Sequence, residues 1–171
     1  MGMSAPPAWW DREGVSIPAA RPLPRRSGWA LVILLVLWGL GAVAGGFALW
    51  SAPDGSGIGF ELDLLQATPF TDFLLPGLIL FALGLAAVAL AVVLGRAVRR
   101  GKASSWMRPL LLLTGFGILA WIVGEIALLW STVAAMPQSD RTFFYAFWAV
   151  YLPLSLAIAA LAWRVTRRTS T

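Results

Sequence analysis

Eight carboxylates, two tyrosines and thirteen basic residues, with no cysteine and no histidine, are the stock from which this chain can build chemistry. The missing residues remove disulfides, thiolate nucleophiles, Cys/His metal centres and the commonest general base. Among those present, Glu125 stands apart as the one ionisable residue well inside a long apolar run. It lies roughly 6–9 residues, or about 9–14 Å of helix, from the C-terminal end of that run. An acid at such depth is costly, so it faces other helices or a wet cavity. Surrounded by apolar groups it is expected to be neutral and to hydrogen bond, joining helices; the alternative is a site for a proton or a cation. If the chain turns back near Pro137, Glu125 falls level with Val150. Tyr151 is then the natural partner, with Tyr145 and Arg141 nearer the mouth.

The second candidate is the stretch from Thr68 to Leu80, where two prolines, two threonines, an acid and a glycine crowd the start of another apolar run. Thr71 reads as a helix N-cap with Asp72 in the first turn, where a carboxylate suits the positive end of the helix. Thr68 as cap, with Pro69 first, is the other register. In both, Pro76 cannot donate to the carbonyl of Asp72, and a kink is expected. Asp72, Glu125, Tyr151 and Arg141 are therefore the candidate lining of one polar recess. Glu61 and Asp63 stand close by in sequence and could add a cation site, although solvated loop acids are the plainer reading. No phosphate loop, nucleotide fingerprint, nucleophile elbow or paired-carboxylate signature is present. No catalytic, cofactor-binding or metal-binding residue is expected, and the chain reads as non-enzymatic.

The elements that must position these residues follow from composition. The chain is 59% hydrophobic and 12% charged, about half the charge that a water-soluble domain carries. The expected fold is all-α, a four-transmembrane-helix bundle, with the lipid bilayer as solvent. Spans are expected at about 28–50, 73–94, 109–133 and 143–163, each long enough to cross roughly 30 Å of hydrocarbon. Residues 1–27 read as a flexible proline-rich tail, in which Ala8-Trp9-Trp10 could touch the headgroup region, and 164–171 as a short basic tail. Between the first two spans, Ser51 to Thr71 forms a loop whose Phe60–Gln66 part is expected to lie on the membrane surface as a helical turn or two. Ala42-Val43-Ala44 resembles a signal-peptidase site, but the long apolar stretch and the later spans favour retention of the first span.

Charge fixes the expected orientation. Arg12, Arg21, Arg25 and Arg26 precede the first span; Arg96, Arg99, Arg100, Lys102 and Arg108 lie between the second and third; Arg164, Arg167 and Arg168 follow the fourth. Only Arg141 falls on the opposite side, with Asp54, Glu61, Asp63, Asp72 and Asp140. Both termini are thus expected to be cytoplasmic. A nucleic-acid partner is not expected, because the basic residues are short flanks of apolar runs. The alanine, glycine and arginine bias fits a bacterial inner-membrane protein.

Close helix packing in lipid depends on small residues. Gly39, Gly41, Gly45 and Gly46, with the motif Gly41-x-x-x-Gly45, are candidates in the first span. Ala82-x-x-x-Ala86 with Gly77 and Gly84, Ala120-x-x-x-Gly124 with Gly115 and Gly117, and Ser155-x-x-x-Ala159 are candidates in the others. They are expected to pack the bundle internally, or alternatively to form a homo-oligomer seam. Short connections after the second and third spans favour antiparallel neighbours there. Trp29, Trp50, Trp106, Trp130 and Trp163 are placed as interfacial anchors.

The run Thr68-Pro69-Phe70-x-Asp72-Phe73-Leu74-x-Pro76-Gly77-Leu78-x-Leu80, followed by Trp121-Ile122-x-x-Glu125, resembles a group of uncharacterised small bacterial four-helix integral membrane proteins. Those carry a P-F-x-D-[FY]-L-x-P-G-L run opening the second helix and a W-I-x-x-Q pattern in the third. The resemblance covers roughly residues 30 to 160 and implies the same four-helix fold. Glu125 stands where that group tends to have glutamine, which implies a hydrogen-bonding role, since an amide cannot transfer a proton as an acid does. The expected role is that of an accessory or partner-binding component, with a small transporter or channel subunit using Glu125 as the alternative.

Overall fold

A computed structural model describes residues 25–101, 104 and 106–167. The tail before residue 25, including the Ala8-Trp9-Trp10 reading, lies outside the described residues, as do Lys102 and Arg168. The chain is all-helical: α1 (Arg25–Ser51), a 3-10 turn (Leu62–Leu65), α2 (Leu74–Arg100), α3 (Met107–Ala135) and α4 (Gln138–Arg167). All four long helices are long and apolar enough to cross a membrane. At 27 to 30 residues, they run about 40–45 Å. They exceed the expected spans at most of their ends, because backbone hydrogen bonding continues past the apolar stretch into the charged flanks.

The helices form a four-cornered bundle in which α1 meets α2 and α4, and α3 meets α4 and α2. The tightest contact is between α1 and α2, and the α2–α3 contact is slight. Helices α3 and α4 are the close neighbours expected after the third span, and α2 and α3 do touch, but α2 packs chiefly on α1 across the longer loop. The reason is a glycine seam. A Cβ on Gly39 would stand 3.0 Å from the carbonyl oxygen of Gly84, and one on Gly84 2.7 Å from the amide of Val43. A Cβ on Gly46 would meet Phe81 N, with Phe81 Cα at 2.7 Å and the Gly77 oxygen at 2.8 Å. Only hydrogen fits at these positions, so the two backbones touch. Gly115 plays the same part between α3 and α4, where its Cβ would lie 3.2 Å from that of Ala162 and 3.4 Å from Ala159 Cα. Ser155 and Ala159 are buried there as well.

The other motifs serve differently. Ala82, Ala86 and Ala120 are exposed, and a Cβ on Gly117 or Gly124 would meet nothing. These small residues face outward.

The prolines also differ from expectation. Because α2 begins at Leu74, Pro76 falls in its first turn, where an amide has no intrahelical partner to lose. Gly77 N–H bonds the Phe73 carbonyl at 2.9 Å, and α2 runs unbroken, so the expected kink has no cause. Pro109 is third in α3, also within the first turn. Pro153 lies inside α4; it withholds the donor that Ala149 O would otherwise receive. Gly101 ends α2 in the left-handed conformation, φ 67°, with its N–H on the Ala97 and Val98 carbonyls.

Candidate functional site

Two features gather the residues with chemical potential. One is the cap at the α1–α2 loop end; the other is a recess in the bundle.

The cap begins with Asp54, whose Oδ1 accepts the Ser56 hydroxyl at 2.7 Å and the Ser56 N–H at 3.1 Å. The hydroxyl above all, and then the amide, hold the Asp54 carboxyl below its ordinary value of 3.8. Gly55 adopts φ 84°, and a side chain there would strike the Phe60 carbonyl oxygen. That carbonyl must come close because Phe60 N–H bonds the Gly55 carbonyl at 3.0 Å. Phe73 N–H reaches back to the Pro53 carbonyl at 2.9 Å, closing the loop on itself. Thr68 Oγ1 donates to the Leu65 carbonyl at 2.8 Å and accepts Phe70 N–H at 3.2 Å, which makes a turn rather than a helix start.

The helical turn expected within Phe60–Gln66 is the 3-10 turn Leu62–Leu65, and it docks on α3. Leu64 and Leu65 are buried in a second apolar cluster with Phe73, Leu129, Val133, Phe144 and Trp148. The Phe60 ring adds contacts with Phe144 and Phe73, centroids at 5.4 and 6.0 Å. Glu61, Leu62 and Asp63 remain exposed.

Asp72 belongs to this cap. Its Oδ1 accepts Leu74 N–H at 3.0 Å, satisfying the first donor of α2. The capping side chain is thus Asp72, one residue after the expected Thr71. Arg141 sits in the first turn of α4, with its N–H on the Pro137 carbonyl at 3.2 Å. Ten residues, or about 15 Å of helix, separate it from Tyr151.

The recess holds the other two candidates. It has a volume of about 70 Å³ and is lined from all four helices. Trp38, Gly41, Ala42 and Gly45 come from α1, and Leu80 from α2. Trp121, Ile122 and Glu125 come from α3, and Phe147 and Tyr151 from α4. Glu125, half-buried, lies about 15 Å along α3 from its Ala135 end. The indole N–H groups of Trp148 and Trp121 approach its carboxyl as donors. Neither closes a hydrogen bond of full geometry, and both nitrogens are buried without another partner. Tyr151 shares the recess but does not hydrogen bond to Glu125. Its ring stacks on Phe147, centroids 4.2 Å apart. Its hydroxyl lies where a Cβ on Gly41 would be 3.0 Å away.

The structure thus brings Glu125 and Tyr151 together and leaves Asp72 and Arg141 outside the recess. Sequence reasoning missed Trp38, Gly41, Gly45 and Phe147 as lining residues. The signal was present in Gly41-x-x-x-Gly45: these two glycines, read as a packing seam, instead line the recess, Gly41 close against the Tyr151 hydroxyl and Gly45 beside Leu80. Among the described residues, no cluster of three or more Asp or Glu side chains could hold a metal ion. Searches against protein-family models, curated proteins and solved structures find no match to this chain.

Proposed function

We propose that the chain is a multi-pass protein of the bacterial inner membrane, both termini cytoplasmic. It acts without catalysis, as an accessory component that binds a membrane-protein partner through the cap. The basic residues support the orientation. Arg25, Arg26, Arg96, Arg99, Arg100, Arg108, Arg164 and Arg167 gather at the end of the bundle away from the cap, where they would meet the cytoplasmic face. Arg99 lies over the Trp29 ring at 5.7 Å and Arg167 over Trp163 at 4.5 Å, an arrangement suited to the headgroup region.

The observation that carries the partner-binding reading is the form of the cap. Leu64, Leu65 and Phe60 fix it to the bundle, while Ile58, Glu61, Leu62 and Asp63 are exposed. An anchored loop presenting apolar and acidic groups together can dock on a partner at lower entropic cost than a free one. A photo-crosslinker at Leu62 in living cells is expected to capture one discrete membrane protein. Products containing only this chain would replace the partner with a homo-oligomer. The absence of any discrete product would overturn the reading.

The second reading is a small transporter or channel subunit, favoured by the Glu125 carboxyl in a recess lined by all four helices. It predicts proton or cation flux in proteoliposomes that Glu125→Gln abolishes. Wild-type flux in that variant would remove it.

A further inference from the structure

We propose that the recess is a binding site for a small organic ammonium group, held by the Glu125 carboxylate against aromatic walls. The proposal shares its site with the second reading but requires only binding, not flux.

The lining selects the ligand class. A divalent cation such as calcium or magnesium needs about six or more oxygen ligands. The recess offers the two carboxylate oxygens of Glu125 and the hydroxyl of Tyr151, among otherwise apolar residues. An ammonium group needs less: one carboxylate to accept its N–H bonds, and aromatic surface to face the positive charge. Trp38, Trp121, Phe147 and Tyr151 supply that surface from three helices. Indoles only donate hydrogen bonds, so Trp121 and Trp148 beside Glu125 call for an acceptor there. A carboxylate has about four acceptor positions, so it has room for a ligand donor beside the two indoles.

Size narrows the class further. A cavity of roughly 150 Å³ holds benzene, so the 70 Å³ recess suits a group of about three heavy atoms. Ethylammonium and dimethylammonium fit. Gly45 keeps the space clear: a Cβ there would meet only Leu80 Cδ2, at 3.8 Å. The site can therefore be filled by mutation without pressing on a backbone.

The test is binding of radiolabelled ethylammonium to the full chain in nanodiscs of phosphatidylglycerol. Saturable binding is expected, with sodium a poor competitor. Glu125→Gln should weaken it by at least about tenfold, the loss of one charge-assisted bond. Gly45→Leu should abolish it, while Asp72→Asn, outside the recess, should not change it. Each variant is checked for monodisperse elution, and Gly45→Leu carries the test if Glu125→Gln does not fold. Phosphatidylethanolamine in the nanodiscs separates two sources of the same chemistry: competition would assign the site to a lipid headgroup, and its absence to a free amine. No saturable binding by the wild type, equal displacement by sodium, or undiminished binding in the folded variants would overturn the proposal. Ethylammonium binding without ion flux would remove the transport reading alone.

Discussion

Gly45 and Gly46 are neighbours in sequence with opposite surroundings, and replacing each by alanine isolates the packing seam. At Gly46 the new Cβ would meet backbone: Phe81 N and Cα, the latter at 2.7 Å, and the Gly77 oxygen at 2.8 Å. Unstrained carbon contacts lie near 3.5–4.0 Å, so α1 and α2 must part by about 1 Å. Overpacking of this kind costs about 1–3 kcal/mol. At Gly45 the nearest atom would be Leu80 Cδ2 at 3.8 Å, an ordinary contact. Alanine also favours a helix over glycine by up to about 1 kcal/mol, but this gain is common to both variants and cancels in their difference. Gly46→Ala should therefore be less stable than Gly45→Ala by about 1–3 kcal/mol. Reversible unfolding in mixed micelles, followed by circular dichroism, measures the difference. Equal stabilities would refute the seam, and a greater loss at Gly45 would reverse the assigned rotation of α1.

Four further outcomes are expected. Gly55→Ala combines a left-handed φ of 84° with a collision at the Phe60 carbonyl; it should loosen the cap by about 1–3 kcal/mol, read as faster proteolysis between α1 and α2. Leu65→Ala removes an anchor that is 5% exposed and should cost about 2–5 kcal/mol, read by unfolding. The Asp54 carboxyl should titrate below 3.8 by carbon-detected NMR, and Ser56→Ala should bring it back up. Since the folded value is the lower one, the contribution of that turn is present above 3.8 and lost as pH falls through the depressed value. Finally, α1 makes the tightest contact in the bundle, so the intact mass of the membrane-extracted protein should retain Gly28–Trp50. A mass reduced to a start after Ala44 would show cleavage.

The four helices were legible because long apolar runs, each with arginines at one end, leave few alternatives. The rotation of each helix was not. α1 has no polar face to mark the inward direction, and α3 has within its apolar length the single pointer of Glu125. The spacing of Gly41 and Gly45 satisfied the small-xxx-small pattern, yet these residues line the recess, and Gly39 and Gly46 make the seam. Only the complementary spacing of Gly77 and Gly84 in α2 could have chosen between them. Glu125 and Tyr151 were readable from depth alone, since the level of a residue in an antiparallel pair depends on helix rise and the turn position. Trp38 and Phe147 were hidden because an aromatic residue in an apolar run is equally at home in a core, a cavity wall or lipid. The cap was unreadable for a different reason. Leu64 and Leu65 are buried by residues of α3 and α4, far along the chain, and so short an apolar patch does not reveal its partner.

The role proposed for the cap rests on which face of the membrane the cap meets. With no native cysteine, single cysteines can be introduced at the exposed positions Gln66, Gln138 and Ser104. They are then challenged in intact spheroplasts with a membrane-impermeant maleimide. Gln66→Cys and Gln138→Cys should label at once, and Ser104→Cys only after lysis. Labelling of Ser104→Cys alone before lysis would invert the protein and place the cap in the cytoplasm, and labelling of all three in intact spheroplasts would contradict a four-span topology.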